Sequence, residues 1–138
     1  MAIKHIVFDS NTWITYFYNN QFTELVELKT DKELSIYTCS HQLQEIAAVL
    51  KRTKFKQRFS NPTSQYIHFC KLIALEIEID ERYDGSADSK DNYLVDTAYT
   101  AQADYIISSD KHLLNLKHVG TIQIISLSDF KKKLQLDY

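Results

Sequence analysis

Short apolar segments of strand length alternate with segments of helical periodicity along this chain of 138 residues. Apolar runs predict strands over residues 3–8, 34–38, 74–79, 104–110 and 122–126. Apolar residues at helical spacing predict helices over residues 11–20, 22–30, 41–51, 53–59, 63–73, 91–103 and 128–136. Strands that alternate with helices indicate βαβ units, and therefore an α/β fold with a mostly parallel central sheet between helices. A chain of this length, without a repeat or a linker, predicts a single domain over residues 1–138.

Two details of this prediction concern individual elements. The segment 74–79, ALEIEI, alternates apolar and acidic residues, which is typical of an edge strand with one solvated face. Ser40 precedes the helix predicted for residues 41–51, and serine is a preferred N-cap residue, so we expect Ser40 to cap that helix.

Two acidic residues lie at the ends of predicted strands. Asp9 follows the apolar run IVF, and Asp110 ends the segment YIISSD. In open α/β sheets, ligands bind beyond the carboxyl ends of the strands, so both carboxylates are expected at a ligand site. The alternatives are structural: Asp9 would initiate the next helix, and Asp110 would be a turn residue or the N-cap of KHLLNL. Ser10 and Asn11 are equally suitable caps, so capping alone does not require Asp9.

Two further acidic residues lie on predicted helices. Glu45 lies off the apolar stripe of its helix and has no Lys or Arg at i+3, i+4 or i−4, although a solvated surface glutamate remains the alternative. Asp91 continues the apolar stripe of its helix and is expected to point inward; its alternative is a capping box with Asp88 as N-cap. Asp96 lies about 140° around that helix from Asp91, so we expect it to face solvent or to support the site.

A bound cation would explain why a fold brings Asp9, Glu45, Asp91 and Asp110 together. Carboxylates placed side by side repel one another and raise each other's pKa. An all-oxygen set of ligands selects a hard cation, Mg²⁺ or Mn²⁺. Such ions activate water and stabilise leaving oxygens in phosphate chemistry. The four acids therefore predict a metal-dependent site that acts on phosphate esters.

Composition excludes several other classes of protein. Gly85 and Gly120 are the only glycines, so no glycine-rich phosphate-binding motif is present. Cys39 and Cys70 form no CxxC pair, which suits a reducing compartment better than a disulfide framework. No apolar run has the length of a signal-peptide core or a membrane span. We therefore expect a cytoplasmic protein that does not associate with membranes.

The charge distribution bears on nucleic-acid binding. The net charge of −2 argues against a protein that binds nucleic acid through bulk positive charge. One local exception is the segment 50–59, LKRTKFKQRF, which has five basic residues and two phenylalanines. It would follow an RNA backbone through charge and stacking, and the alternative is a solvated helix face.

Three stretches of the chain resemble motifs of PIN-domain ribonucleases, of the kind found as VapC-like toxins of toxin–antitoxin pairs. IVFDSNTWIT resembles the opening strand of the family and places its acid at Asp9, with a small polar residue, Asn11, two positions later. HQLQEIAAVLKR resembles the second motif, with its acid at Glu45. DSKDNYLVDTAYTAQADYIISSDKHLL resembles the third and fourth motifs, with acids at Asp91 and Asp110.

This resemblance runs from residue 3 to about residue 130. Ser108 stands where the family usually has Thr, and Asp96 matches a position that is acidic in some branches only. The resemblance implies a PIN-like three-layer α/β/α fold, Mg²⁺ or Mn²⁺ held by the four acids, and hydrolysis of single-stranded RNA to 5′-phosphate and 3′-hydroxyl ends. It also implies a small antitoxin protein as partner, and a homodimer.

Two other functions remain as alternatives. A non-catalytic PIN-like module would bind RNA or a protein, but such a module usually lacks one of the acids, and this chain has all four. A phosphatase with an aspartyl nucleophile is suggested by FDSNT, which distantly resembles D-x-D-G-T. That motif fails at Asn11, Thr12 and Trp13. The sequence therefore favours a metal-dependent endoribonuclease.

Overall fold

The structure, a computed structural model, describes residues 4–52, 59, 61–80 and 92–137. The strands are β1 (Lys4–Phe8), β2 (Leu34–Thr38), β3 (Ala74–Glu76), β4 (Tyr105–Ile107), β5 (His118–Val119) and β6 (Ile122–Ile125). The helices are α1 (Ser10–Tyr18), α2 (Phe22–Asp31), α3 (Ser40–Leu50), α4 (Thr63–Ile73), α5 (Asn92–Ala101), α6 (Lys111–Leu116) and α7 (Leu127–Asp137). Within these ranges, no helix combines the length and the apolar character that crossing a bilayer requires.

The six strands form one sheet in the order β3-β2-β1-β4-β6-β5. Every neighbouring pair is parallel except β5 and β6, which are antiparallel. β1 lies in the interior of the sheet, where Ile6 pairs with Ile36 of β2 and with Tyr105 of β4. The prediction of a mostly parallel sheet is confirmed, and the carboxyl ends of β1, β2 and β4 meet at one end of it.

Helices cover both faces of this sheet. Ile6, Val7 and Phe8 of β1 are fully buried, although successive side chains of a strand point to opposite faces. Ile6 and Phe8 belong to a core cluster that includes residues of α1, α2, α3, α4 and α7, whereas Val7 belongs to a second cluster with residues of α5 and α6. A strand buried on both faces has a continuous apolar sequence, as in the run IVF. The predicted three-layer α/β/α fold is confirmed.

The start of α3 differs from the prediction. Ser40 is the first residue of the helix, and the N-cap position belongs to Cys39, whose side chain makes no capping hydrogen bond. Cys39 directly follows β2 and already has the extended backbone of an N-cap residue, so the chain turns into the helix one residue earlier than expected. The prediction that Ser40 caps this helix is therefore wrong.

Three strands differ from the sequence pattern by more than one residue. β4 has three residues rather than the seven predicted over residues 104–110, and Asp110 lies three residues beyond it, at the N-cap of α6. β3 lies at the sheet edge as predicted but has three residues rather than the six of ALEIEI. β5 has no signal in the sequence because two residues show no periodicity. It pairs with β6 across a turn in which Gly120 has φ of 58°, a left-handed conformation that glycine adopts without strain.

Some predictions fall outside the described residues. They are the helix over residues 53–59 apart from Phe59, most of the basic segment 50–59, and the candidate capping box of Asp88 and Asp91.

Candidate active site

Asp9 lies between the last residue of β1 and the first residue of α1. It occupies the N-cap position, as the helix-initiation alternative predicts, but its side chain makes no capping hydrogen bond to the helix. Its backbone amide donates to the carbonyl of Ile107 at 2.8 Å, which extends the pairing of β1 with β4 by one residue. The side chain is 6% exposed. The fold therefore buries a carboxylate at the end of an interior strand without using it as a helix cap.

Ser108 connects Asp9 to Asp110. Its hydroxyl donates to Oδ2 of Asp9 at 2.8 Å and accepts from the backbone amide of Asp110 at 3.0 Å. This connection follows from the topology, because β1 and β4 are parallel neighbours and Ser108 directly follows β4. PIN-domain ribonucleases usually have Thr where this chain has Ser108. Both residues carry a hydroxyl, so the serine keeps the group that contacts Asp9 and the amide of Asp110.

Asp110 is the N-cap residue of α6. Its Oδ1 atom accepts from the backbone amide of His112 at 2.7 Å, so the N-cap alternative for this residue is confirmed. The cap uses one of the two carboxylate oxygens. The side chain of Asp110 is half-buried, and its charge lies near enough to Asp9 to raise the pKa of the Asp9 carboxyl. The capping role and a role at the site are therefore compatible.

Glu45 of α3 lies close enough to Asp9 for its charge to act on the Asp9 carboxyl. Its side chain is half-buried, and Oε1 accepts from the hydroxyl of Tyr93 at 3.2 Å. The same Tyr93 hydroxyl lies 2.8 Å from Oγ of Ser10, the residue that follows Asp9. The alternative of a fully solvated surface glutamate is wrong, because Tyr93 of α5 packs over this part of α3.

The electrostatics of the site centre on Asp9. Burial is the largest cause that raises the pKa of its carboxyl above 3.8, and the charges of Glu45 and Asp110 raise it further. The hydrogen bonds from Ser108 and from the backbone amide of Ser10 act in the opposite direction. The charges of Glu45 and Asp110 thus act on the carboxyl of Asp9 at the carboxyl end of the sheet, where the sequence predicts the site.

The remaining predicted residues have different positions. Asp91 lies outside the described residues, directly before α5. Asn11 is exposed in the first turn of α1, where its backbone carbonyl accepts from Thr15, and its side chain is not among the contacts of the acids. Asp96 is 8% exposed, so the alternative that it faces solvent is wrong, and its supporting role stays a prediction. The helix α5 is buried over residues 93–98, which includes the position of Asp96.

Gln42 is a supporting residue that the sequence analysis missed. Its Nε2 donates to the carbonyl of Phe8 at 2.6 Å, and its Oε1 accepts from Thr38 at 2.6 Å and from Nε1 of Trp13 at 3.3 Å. It therefore joins α3, β2 and α1 to the residue that precedes Asp9. The signal available in the sequence was the spacing: Gln42 lies four residues before Ile46 and therefore on the inward face of α3.

Tyr93 is the second residue that was missed. Its hydroxyl reaches Glu45 across 48 residues of sequence, and no local pattern encodes such a contact. Burial is the largest cause that raises the pKa of Tyr93, followed by the charge of Glu45, so the phenol keeps its proton at neutral pH. Tyr93 is therefore a hydrogen-bond donor to the site.

The donor chemistry of the site fits a hard cation. Carboxylate oxygens of Asp9, Glu45 and Asp110 are the ligand type that Mg²⁺ and Mn²⁺ prefer, whereas zinc selects thiolate and imidazole ligands. In the part of the chain that the structure describes, no group of three or more His, Cys, Asp or Glu side chains is close enough to hold a metal ion.

Comparison with known proteins gives the family. A search of curated proteins gives no match. A family model of the PIN domain matches residues 5–112, from β1 into α6, and includes all four predicted acids. PIN domains are generally nucleases. Because this match covers well over half of the 138 residues, the chain belongs to the PIN domain family.

Proposed function

We propose that this protein is an endoribonuclease that hydrolyses phosphodiester bonds of single-stranded RNA with Mg²⁺ or Mn²⁺. The observation that carries the proposal is the buried carboxylate of Asp9, whose pKa is raised by burial and by the charges of Glu45 and Asp110. Such a carboxylate is unfavourable when ionised unless a cation compensates its charge. Membership of a family of nucleases supports the same chemistry.

In this proposal, Asp9, Glu45, Asp91 and Asp110 hold the metal ion through their carboxylate oxygens. When bound, the ion supplies an activated water and stabilises negative charge on the leaving oxygen. The protein's own contribution is orientation: Ser108 fixes Oδ2 of Asp9, and the cap of α6 fixes Oδ1 of Asp110. No side chain acts as a covalent nucleophile.

Cleavage of RNA by the purified protein tests the chemistry. We expect cleavage with Mg²⁺ or Mn²⁺, loss of cleavage in EDTA, and loss of cleavage in Asp9→Asn with an unchanged fold. Glu27→Gln is the matched control, because it removes one acidic charge from an exposed position of α2 away from the sheet end. An Asp9→Asn protein that cleaves RNA at the wild-type rate contradicts the assignment of Asp9.

The substrate class and the products are tested with end-labelled oligonucleotides. We expect single-stranded RNA to be cleaved in preference to duplex RNA and single-stranded DNA. The products should carry 5′-phosphate and 3′-hydroxyl ends, as the family resemblance implies. If wild type and Asp9→Asn both bind RNA and neither cleaves it, the result favours the non-catalytic binding module.

The proposal extends to the biological role. We propose that the protein is the toxin of a toxin–antitoxin pair, that it acts in the cytoplasm as a single domain, that a small antitoxin inhibits it, and that it forms a homodimer. The resemblance to VapC-like toxins supports the toxin role, the antitoxin and the homodimer, whereas the single domain and the cytoplasm are expected from the length, the cysteines and the lack of long apolar runs. Induced expression should arrest growth, Asp9→Asn should not, and co-expression of the neighbouring reading frame should restore growth. Sedimentation of the purified protein measures the oligomeric state.

A further inference from the structure

Tyr93 occupies the point where three elements of the site meet. It extends from α5, it is 5% exposed, and its hydroxyl lies 3.2 Å from Oε1 of Glu45 on α3 and 2.8 Å from Oγ of Ser10 on α1. The ring is stacked on His41, with centroids 4.2 Å apart and planes inclined by 12°. Contacts on both the ring and the hydroxyl hold this side chain in one orientation.

The direction of these hydrogen bonds follows from the groups involved. An ionised carboxylate only accepts, so the single phenol proton of Tyr93 points to Glu45. The phenol oxygen is then left to accept, and the hydroxyl of Ser10 donates to it. The result is a directed chain from Ser10 to Tyr93 to Glu45, which ends on one oxygen of the carboxylate and leaves the other oxygen for a ligand.

We propose that Tyr93 is a positioning residue, which fixes the rotamer of Glu45 so that its second carboxylate oxygen faces the proposed metal site. This inference rests on the proposed function. Without this bond, Glu45 has a long side chain with freely rotating torsions on a half-buried helix face, and ordering it on each binding event costs conformational entropy. If Tyr93 only fills space in the core, its ring is sufficient, and removal of the hydroxyl should change neither RNA cleavage nor the response to Mn²⁺.

Tyr93→Phe separates these two roles because it keeps the ring and its stacking on His41. Tyr16→Phe is the matched control: Tyr16 is also buried, and its hydroxyl has no hydrogen-bond partner in the described part of the chain. For Tyr93→Phe we expect kcat on single-stranded RNA to fall about tenfold with KM unchanged, which corresponds to loss of about one hydrogen bond. The Mn²⁺ concentration that gives half of the Tm increase should rise several-fold. Tyr16→Phe should match wild type in both measurements.

A metal-free measurement distinguishes failure of this inference from failure of the proposed function. Urea unfolding in EDTA of wild type, Tyr93→Phe, Glu45→Ala and the double variant measures whether the two side chains are coupled, because alanine leaves no acceptor for the Tyr93 hydroxyl. We expect the two effects on the unfolding midpoint to be clearly non-additive. Additive effects overturn the proposal even if the protein cleaves RNA, as does a Tyr93→Phe protein with wild-type kcat and Mn²⁺ response. If wild type cleaves no RNA, the proposed function fails and the coupling still decides whether Tyr93 fixes Glu45.

Discussion

The hydroxyl of Ser108 donates a hydrogen bond of 2.8 Å to Oδ2 of Asp9, and the two residues are 99 positions apart in the sequence. Each residue follows an interior strand of the sheet, and the parallel pairing of β1 with β4 brings the two strand ends side by side. The same hydroxyl accepts from the amide of Asp110, so one small side chain links two of the predicted acids.

Replacing Ser108 tests this link. Ser108→Ala removes the donor to a buried carboxylate and the acceptor for the amide of Asp110, so we expect a loss of about 1–3 kcal/mol in the free energy of unfolding at pH 7. Urea unfolding measures it. Ser108→Thr keeps the hydroxyl and should retain most of the stability and the cleavage activity. An alanine variant with wild-type stability shows that the bond contributes nothing.

The raised pKa of Asp9 predicts a pH dependence of the metal-free protein. The carboxyl of Asp9 binds its proton more tightly in the folded state than in the unfolded state, where its pKa is about 3.8. The stability that Asp9 contributes is therefore complete below that value and is lost as the pH rises through the raised folded pKa. Asp9→Asn should show a smaller loss of stability between pH 4 and pH 8 in EDTA. Parallel pH profiles of the two proteins in urea unfolding contradict this interpretation of Asp9.

Two substitutions of Asp110 separate its cap from its proposed metal contact. Asparagine also caps helices, so Asp110→Asn should keep α6 and the metal-free stability, whereas Asp110→Ala should lose about 1 kcal/mol. A metal at 100 times its dissociation constant adds about 2.7 kcal/mol if it binds only the folded state. We expect Mn²⁺ to raise the Tm of wild type and to have little effect on Asp110→Asn. Equal increases in both proteins count against Asp110 as a ligand.

Gln42 should matter for stability more than its neighbours on α3. Gln42→Leu leaves the carbonyl of Phe8, the hydroxyl of Thr38 and the indole N–H of Trp13 buried without this partner. We expect a loss of at least about 2 kcal/mol in urea unfolding, because each unsatisfied buried group costs about 1–3 kcal/mol. Gln44→Leu, at an exposed position of the same helix, should change stability little. Similar losses in both variants contradict the role of Gln42.

Asp91 stays a prediction, and its two interpretations have opposite consequences. As the N3 residue of a capping box, it stabilises the helix by roughly 0.3–1 kcal/mol, so Asp91→Asn would weaken the metal-free protein. As a member of the acid cluster, it repels the other carboxylates, and its neutralisation relieves that repulsion. We expect Asp91→Asn to be at least as stable as wild type in EDTA, and to lose metal stabilisation and RNA cleavage. A variant that is less stable in EDTA and still cleaves RNA would show that Asp91 belongs to the helix cap and not to the metal site.

The elements and their order in the chain could be predicted from the sequence because periodicity is a local property. β2 and α4 have the predicted bounds, and β1 ends at Phe8 as predicted. The position of Asp9 directly after β1 followed from the same patterns, whereas Asp110 lies three residues beyond β4; parallel pairing of the two strands then placed both residues at one end of the sheet. The shorter β3, the two-residue β5 and the start of α3 were not predictable, since they depend on pairing and on backbone turns rather than on periodicity.

The tertiary structure alone decided how the acids are held. A hydrogen bond requires two side chains to meet within a fraction of an ångström, and the partners here come from different elements. Ser108 reaches Asp9 because β1 and β4 are neighbours in the sheet, and Tyr93 reaches Glu45 because α5 packs over α3. The sequence by itself predicted which carboxylates form the candidate site. The packing of strands and helices against one another determined which hydroxyl groups orient them, because only packing sets the directions of side chains that are distant in sequence.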